Sequence, residues 1–537
     1  MVVPELRPWR VAGPHVARVA AAVRPRLARA ATVARPRVTR LARAAKPQLR
    51  RVTRPNTIKT WQYTAGAATA GLALAAGVVS AAGPWDATGQ RTAEREWAAA
   101  QERTGGADHG RAPGTTARGP RPAPSAPTVL TGLGGATTAV QAGPKAPDVP
   151  DTKALAGVLG PLLKDPGLGA RHTASVVDVA TGRRLYGAGA DQALIPASTT
   201  KIATAVAALS ALGADHRFTT RAALEADTRE LVLVGGGDPT LTARAKAGGW
   251  ADLRALAAST AAALHKRGMR QVTLSYDTTL FTGPEVHPIG ANPNLAPVTA
   301  LTADEGRTDD SGSGPAPRVA DPAADATRKF AAFLATHGIK TTSPGPSKAT
   351  GRAQTLATVS SPPLSALVER MLTNSDNDIA EVLARQTAVA TGQRADFTGG
   401  GRAIETQLRK LGLPLAGAAF HDGSGLDRAD RLTAGLLTAL LATSGDPARP
   451  ELRPVLTGLP VAGFTGTLTS RYTDGAAGVV RAKTGTLTGV NTLAGTVVDQ
   501  DGRLLAFAFL SSETTDPTAA QKALDRAATT LAGCGCR

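Results

Sequence analysis

Apolar positions change their spacing several times along this 537-residue chain, and each change predicts an element. Over Ala174 to Tyr186 (ASVVDVATGRRLY) two short β-branched runs meet at Thr181-Gly182, which predicts a hairpin. After Pro196 the spacing turns helical and runs to a stop at Gly213. Leu231 to Val234 reads as a strand entering the turn Gly235-Gly236-Gly237-Asp238-Pro239. A polar loop rich in Gly, Pro and Asp follows over 304–322, and helical spacing returns over 325–337, 364–390 and 401–411. Residues 478–510 read as three strands (GVVRAKTG, NTLAGTVVD, LLAFAFLSS), the last two joined at Asp501-Gly502, a hairpin signature. A final helix is predicted over 518–531. Strands first, helices between and strands last is an α+β order, in which both ends of the folded region can share one antiparallel sheet flanked by helices.

Before residue 151 the pattern is different. Residues 1–60 hold fifteen Lys/Arg against one acid, Glu5, with seven prolines interrupting any helix, and read as a disordered basic arm. Residues 61–85 carry no charge, long enough for a helix to cross about 30 Å of hydrocarbon, with Trp61, Tyr63 and Trp85 at the expected interfaces. Residues 86–150 read as a linker, since 104–150 contain eight Pro and nine Gly. The net charge of +19 therefore sits mostly in the arm, and residues 151–537 are nearly neutral. That excludes a uniformly basic nucleic-acid-binding body. By the positive-inside rule the arm is expected in the cytoplasm on anionic lipid, with 61–85 an uncleaved signal anchor and the rest outside. Secretion after cleavage near Val79-Ser80-Ala81 is the alternative. Eight scattered His without metal-binding spacing give no support for a metal or other cofactor. The two cysteines, Cys534 and Cys536, are too closely spaced to favour a bridge between them.

Three short motifs carry candidate chemistry. Ser198-Thr199-Thr200-Lys201 begins the helix after Pro196 and puts a hydroxyl and an amine on one face. A serine needs a base, and a lysine can be one if burial or a neighbouring cation lowers its pKa. Ser375-Asp376-Asn377 precedes a helical pattern and by itself reads as an ordinary N-cap. Lys483-Thr484-Gly485 lies in a strand, where a cation and a hydroxyl could meet an anionic ligand lying against the glycine backbone. Each motif alone is common. Yet Lys201 is the single lysine of fourteen with Ser three residues before it, Asn377 the single asparagine of six with Ser two before it, and K-T-G occurs once.

That ordered set resembles the penicillin-binding proteins and serine β-lactamases. With GGGDPTL (235–241), YDTTLFTGP (276–284), HDGSGLDR (421–428) and KTGTLTGVNTLAG (483–495), the chain is more narrowly similar to the D-alanyl-D-alanine carboxypeptidase/endopeptidase family, the low-molecular-mass class C penicillin-binding proteins. The resemblance covers nearly all of 151–537. It implies a transpeptidase-like catalytic domain from 151–220 and 345–537, with a small insert domain at 221–344. It also implies that Ser198 attacks a D-Ala-D-Ala or D-Ala-meso-diaminopimelate carbonyl with Lys201 as base, and that Ser375 passes a proton to the leaving amine. Asn377 would hold a substrate amide and Lys201; Lys483 and Thr484 would take the terminal carboxylate. Gly485 and the backbone N–H groups of Ser198 and Thr486 would complete the site, with Asp422, Ser424, Arg428 and Leu487 bordering a side-chain pocket. The Ser198-to-Ser375 interval is short for a family whose members carry two nested inserts, so one small insert is expected, with 304–322 at most a remnant of the other. The implied partners are peptidoglycan stem peptides and β-lactams.

Two other readings compete. A class A β-lactamase would need Glu in an E-x-x-L-N setting, and none of Glu381, Glu405 and Glu451 provides it. A wall-peptide or β-lactam sensor would not need turnover, though it shares the same motifs. No G-x-S-x-G occurs, which disfavours a Ser-His-Asp hydrolase.

Overall fold

The computed structural model describes residues 152–535 except 226, 343–344 and 473–474. The expected basic arm, apolar segment and linker lie outside them. No helix among the described residues is long and apolar enough to cross a membrane.

Helix α1 (Thr152–Leu162) leads to the hairpin β1 (Arg171–Asp178) and β2 (Arg184–Ala188). Its turn is fixed by Asp178 Oδ1, which accepts from both the backbone N–H and the hydroxyl of Thr181. A short β3 (Ala193–Leu194) and a single helical turn at Ala197–Thr199 precede α2 (Thr200–Leu212), which ends at Gly213 with φ of +86°. The chain then leaves for a second sheet through β4 (Thr219–Glu225), β5 (Glu230–Val234), α3 (Leu253–Lys266), β6 (Gln271–Asp277), α4 (Pro322–Thr336), β7 (Lys340–Thr341), β8 (Gly345–Pro346) and β9 (Gln354–Ser360). It returns as α5 (Leu364–Asn374), α6 (Asn377–Ala390) and α7 (Phe397–Lys410), followed by β10 (Leu432–Thr433), α8 (Ala434–Gly445) and α9 (Pro454–Thr457). The last elements are β11 (Arg481–Leu487), β12 (Val490–Val498), β13 (Leu504–Ser512) and α10 (Pro517–Ala532).

The first sheet has the order β11-β12-β13-β1-β2 and is antiparallel throughout, so the two ends of the folded region meet at β1 and β13 as expected. Strand β13 shows why both faces are covered. Leu505, Phe507 and Phe509 point to the α1 and α10 side with Leu155, Leu159, Leu524 and Leu531. Ala506, Ala508 and Leu510 point to the other side with Ile202, Val206, Leu437 and Leu441. The small alanines let α8 lie close to the sheet. Helix α2 is buried all round, polar residues included, because α5, α6, α7 and α8 surround it.

The second sheet runs β7-β6-β5-β4-β9, with β8 also on β6. Strands β5 and β6 are parallel and joined through α3, and α3 and α4 cover one face with Leu256, Leu264, Phe330 and Leu334. This sheet starts at Thr219 and ends at Ser360, so β9 belongs to it although the sequence boundary at 344/345 placed that strand in the catalytic domain. Strand β9 (QTLATVS) is a half-exposed edge without a strong apolar alternation, which is why its affiliation was hard to read. The 304–322 stretch is not a remnant domain: it holds one short turn, Asp304–Gly306, and lies against α5 and α6. Cys534 is disulfide-bonded, against the expectation from its spacing.

Candidate active site

The chain places the three motifs on three elements that converge. Ala197, with φ of +48°, turns the backbone so that Ser198 stands at the entrance of α2. The 364–390 helical pattern is broken into α5 and α6 by Ser375, which adopts the left-handed conformation (φ 57°, ψ 40°) that ends α5. Asp376 then caps α6 by accepting from the Ile379 N–H at 3.0 Å. Positive φ at a residue other than glycine costs about 1–3 kcal/mol and collects at functional sites; here it falls at Ala197, just before the first motif, and at Ser375 in the second.

Lys201 is fully buried, and its Nζ donates to Ser198 Oγ at 3.0 Å, Asn377 Oδ1 at 2.7 Å and the Ser424 carbonyl at 2.7 Å. Burial pulls its pKa down to about 8, against the opposing field of Asp422, Glu381, Asp376 and Asp378. Once neutral, Lys201 can keep its two hydrogens on Asn377 and the Ser424 carbonyl and turn its lone pair to Ser198 Oγ. Lys483, on β11, is also fully buried; its Nζ donates to Ser375 Oγ at 2.9 Å and to the Thr484 carbonyl at 2.7 Å. Burial, and then the Lys201 charge, hold its pKa well below the ordinary lysine value. Thr484 Oγ1 donates to Thr467 Oγ1 at 2.9 Å, and the Thr486 side chain is exposed beyond it.

Two glycines make this convergence sterically feasible. A Cβ on Gly485 would stand 2.1 Å from Thr492 Oγ1 and 2.8 Å from the Pro196 carbonyl. A Cβ on Gly425 would stand 1.9 Å from the Ala197 carbonyl, at a φ of +80°. Strand β11 and the 422–425 loop therefore both press against the Ser198 turn. The result is a serine beside a buried lysine of lowered pKa and a second serine beside a second such lysine, an arrangement suited to acyl transfer.

The sequence profile of the D-Ala-D-Ala carboxypeptidase 3 (S13) family matches residues 155–312 and 309–531. The chain belongs to this family. It is 37% identical over 436 residues to a carboxypeptidase of Mycobacterium tuberculosis, covering 78% of this chain and 91% of that protein. It is 31% identical over 449 residues to a D-alanyl-D-alanine carboxypeptidase of an Actinomadura strain, covering 66% and 80%. Its fold is similar to penicillin-binding protein 4 of Haemophilus influenzae, with a TM-score of 0.58, 21% identity, and coverage of 68% of this chain and 97% of that one; the same protein is also known in complex with a β-lactam.

Within this S13 chain, the residues expected to border a side-chain pocket divide into two groups. Asp422 is buried and serves its own loop: it accepts from the backbone N–H groups of Gly425 and Asp427, both at 2.6 Å, and faces His287 Nε2 at 3.1 Å. The Ser424 side chain is buried as well, and what it gives the site is its carbonyl, to Lys201. Neither side chain lines a cleft, a correction to the sequence expectation; the DGSG segment is a brace beneath Lys201. Arg428 is exposed and donates to the Thr488 carbonyl at 3.0 Å, just past the half-buried Leu487, so these two remain at the rim.

Several site residues carried no motif. Glu381 on α6 is buried and accepts from Ser424 N at 2.8 Å and from Gly423 N at 3.1 and 3.2 Å; burial, then Asp422, push its pKa up to about 7. The loop after β6 holds the S-D-N turn from the other side. The Asn294 carbonyl accepts from Asn377 Nδ2 at 3.0 Å, Ala296 N donates to Asp378 Oδ1 at 2.9 Å, and Arg318 pairs with Asp378 Oδ2 at 2.9 Å. Burial raises the Asp378 pKa to about 7 although Arg318 opposes it. Two buried trios, His287/Glu381/Asp422 and Glu305/Asp376/Asp378, gather ligand-type atoms within 4.8 Å. In the first, Glu381 and Asp422 already accept backbone N–H groups; in the second, Asp378 takes Ala296 N–H and Arg318, so both are occupied as structural networks and fit a metal poorly.

Proposed function

We propose that this protein is a serine DD-peptidase that removes the terminal D-alanine from peptidoglycan stem peptides through an acyl-enzyme on Ser198. The observation that carries the reading is the pairing of Ser198 Oγ with the buried Lys201 Nζ at 3.0 Å, opposite the Ser375–Lys483 pair at 2.9 Å. Neutral Lys201 takes the Ser198 hydroxyl proton as Oγ bonds to the carbonyl carbon of the penultimate D-Ala. The resulting oxyanion falls to the backbone N–H groups of Ser198 and Thr486; losing one such donor typically costs about 10²–10³ in rate. As the C–N bond breaks, the leaving amine takes a proton through Ser375, beside Lys483. Lys483, with Thr484, also offers charge and hydroxyl to the terminal carboxylate, while Gly485 keeps the strand close. Asn377 holds Lys201 and a substrate amide. Water then attacks the ester and frees Ser198. A β-lactam carbonyl enters the same first step and leaves a stable acyl group.

Cleavage of D-Ala-meso-diaminopimelate cross-links uses the same bond chemistry and is the second activity of this reading. Incubation with purified uncross-linked and cross-linked muropeptides, followed by mass spectrometry, separates the cases. Free D-Ala from pentapeptides supports the carboxypeptidase, dimer cleavage adds the endopeptidase, and neither product favours a sensor that is acylated without turnover. The setting consistent with this substrate is outside the membrane, with 61–85 as anchor and the basic arm on anionic inner-leaflet lipid, worth about 1 kcal/mol per basic residue near the surface. Nucleic acid is not an expected partner.

A further inference from the structure

A cavity of about 210 Å³ opens between the loops of the second sheet and α5, and no residue of the three catalytic motifs lines it. Arg244, Lys246, Arg307 and Arg370 bring four cations to it, with Trp250 and Ser311 beside them. The two acids present, Asp304 and Glu305, are already engaged. Asp304 accepts from Thr242 Oγ1 at 2.6 Å and from Ala243 N at 3.2 Å, with Lys329 Nζ at 3.5 Å and Arg244 Nε at 3.6 Å. Glu305 pairs with Arg307 Nε at 2.8 Å, and burial, then Asp376 and Asp378, raise its carboxyl pKa well above the usual value. Four cations against two acids leave positive charge in surplus, although Arg244 also donates to the Asp310 and Ser311 carbonyls at 3.1 and 2.6 Å and Arg307 to Ser311 Oγ and the Gly314 carbonyl, both at 2.9 Å. Lys246 is exposed at the rim and makes no hydrogen bond or ion pair among the described residues. Arg370 stacks over the Trp250 ring at 4.7 Å, and its Nε, shut off from solvent, makes no hydrogen bond, with Asp376 3.8 Å away.

We propose that this cavity is a binding site for a small anionic group, a carboxylate or a phosphate, separate from the site of the reaction. An apolar cavity of about 150 Å³ holds a benzene, so this one has room for either group with a few attached atoms. The two sources in the surroundings of a wall hydrolase are stem-peptide carboxylates and wall phosphates; that choice of sources rests on the peptidase reading, and the anion site itself does not. Trp250 is the only tryptophan in 152–535, which gives the cavity its own optical signal.

The test is a fluorescence titration of the full-length protein with inorganic phosphate and, separately, with a disaccharide-tetrapeptide, before and after acylation by a β-lactam. Trp250→Phe isolates the cavity signal from the other four tryptophans. The expected result is a saturable change that survives acylation, vanishes in Trp250→Phe and is weakened at least about tenfold by the exposed charge reversal Lys246→Glu. A response to phosphate alone assigns the site to wall phosphate, and a response to the tetrapeptide alone assigns it to stem peptides. No saturable change with either probe, a change that Lys246→Glu leaves intact, or one that acylation abolishes would overturn the proposal. Failure of acylation itself would be visible separately and would count against the peptidase reading.

Discussion

At the scale of single residues, the proposed function turns on the protonation of Lys201. Its pKa falls from 10.5 to about 8, and burial is the largest cause. A base works only when neutral, so the acylation rate by a β-lactam should rise with pH and reach half its plateau near pH 8. Stopped-flow acylation measured from about pH 6 to about pH 10 checks this, and a profile that is flat or falls over that range contradicts it. Stability carries the same sign. Between about pH 8 and 10.5 the unfolded chain binds the Lys201 proton and the folded chain does not, so this residue's contribution to stability rises with pH across that window. The residues of the three motifs were legible in the sequence because their chemistry requires particular side chains at short, fixed spacing. Asp422 and Ser424 were misread for the converse reason: D-G-S-G is visible as a string, yet whether a polar side chain faces a cleft or its own backbone depends on a loop conformation that spacing does not encode.

Among elements, the loop between β6 and α4 braces the S-D-N turn through Asn294, Ala296 and Arg318. Its last part, 304–322, reads as a polar interruption, because Gly, Pro and Asp are frequent there and the partners that bury Arg318 and Glu305 lie on α5 and α6, far away in sequence. The three C-terminal strands, by contrast, were readable, although the first begins at Arg481 and not at Gly478, since apolar runs and an Asp-Gly turn specify them locally. Helices α5 and α6 read as one pattern because Ser375 interrupts it by backbone conformation and not by composition. The Arg318–Asp378 pair is nearly fully buried on both sides. Removing one partner should therefore cost about 3–5 kcal/mol, while replacing both with apolar residues should recover most of that loss. Thermal or denaturant unfolding of Arg318→Met, Asp378→Leu and the double variant measures it; equal, additive losses would show that the two residues do not act as a pair.

On the whole-molecule scale, most of the +19 charge belongs to a basic arm outside the described residues, while the S13 portion is nearly neutral. If 61–85 anchors the protein with its catalytic part outside, protease added to intact cells should cut 151–537 and spare 1–60. The reverse pattern contradicts that topology. The proposed function depends on Ser198 as the nucleophile, placed 3.0 Å from the buried Lys201 Nζ. The decisive measurement compares wild type with Ser198→Ala for labelling by a fluorescent penicillin and for D-Ala release from a pentapeptide. The substitution should abolish both while the variant stays folded. Penicillin labelling that persists in a folded Ser198→Ala protein would contradict this.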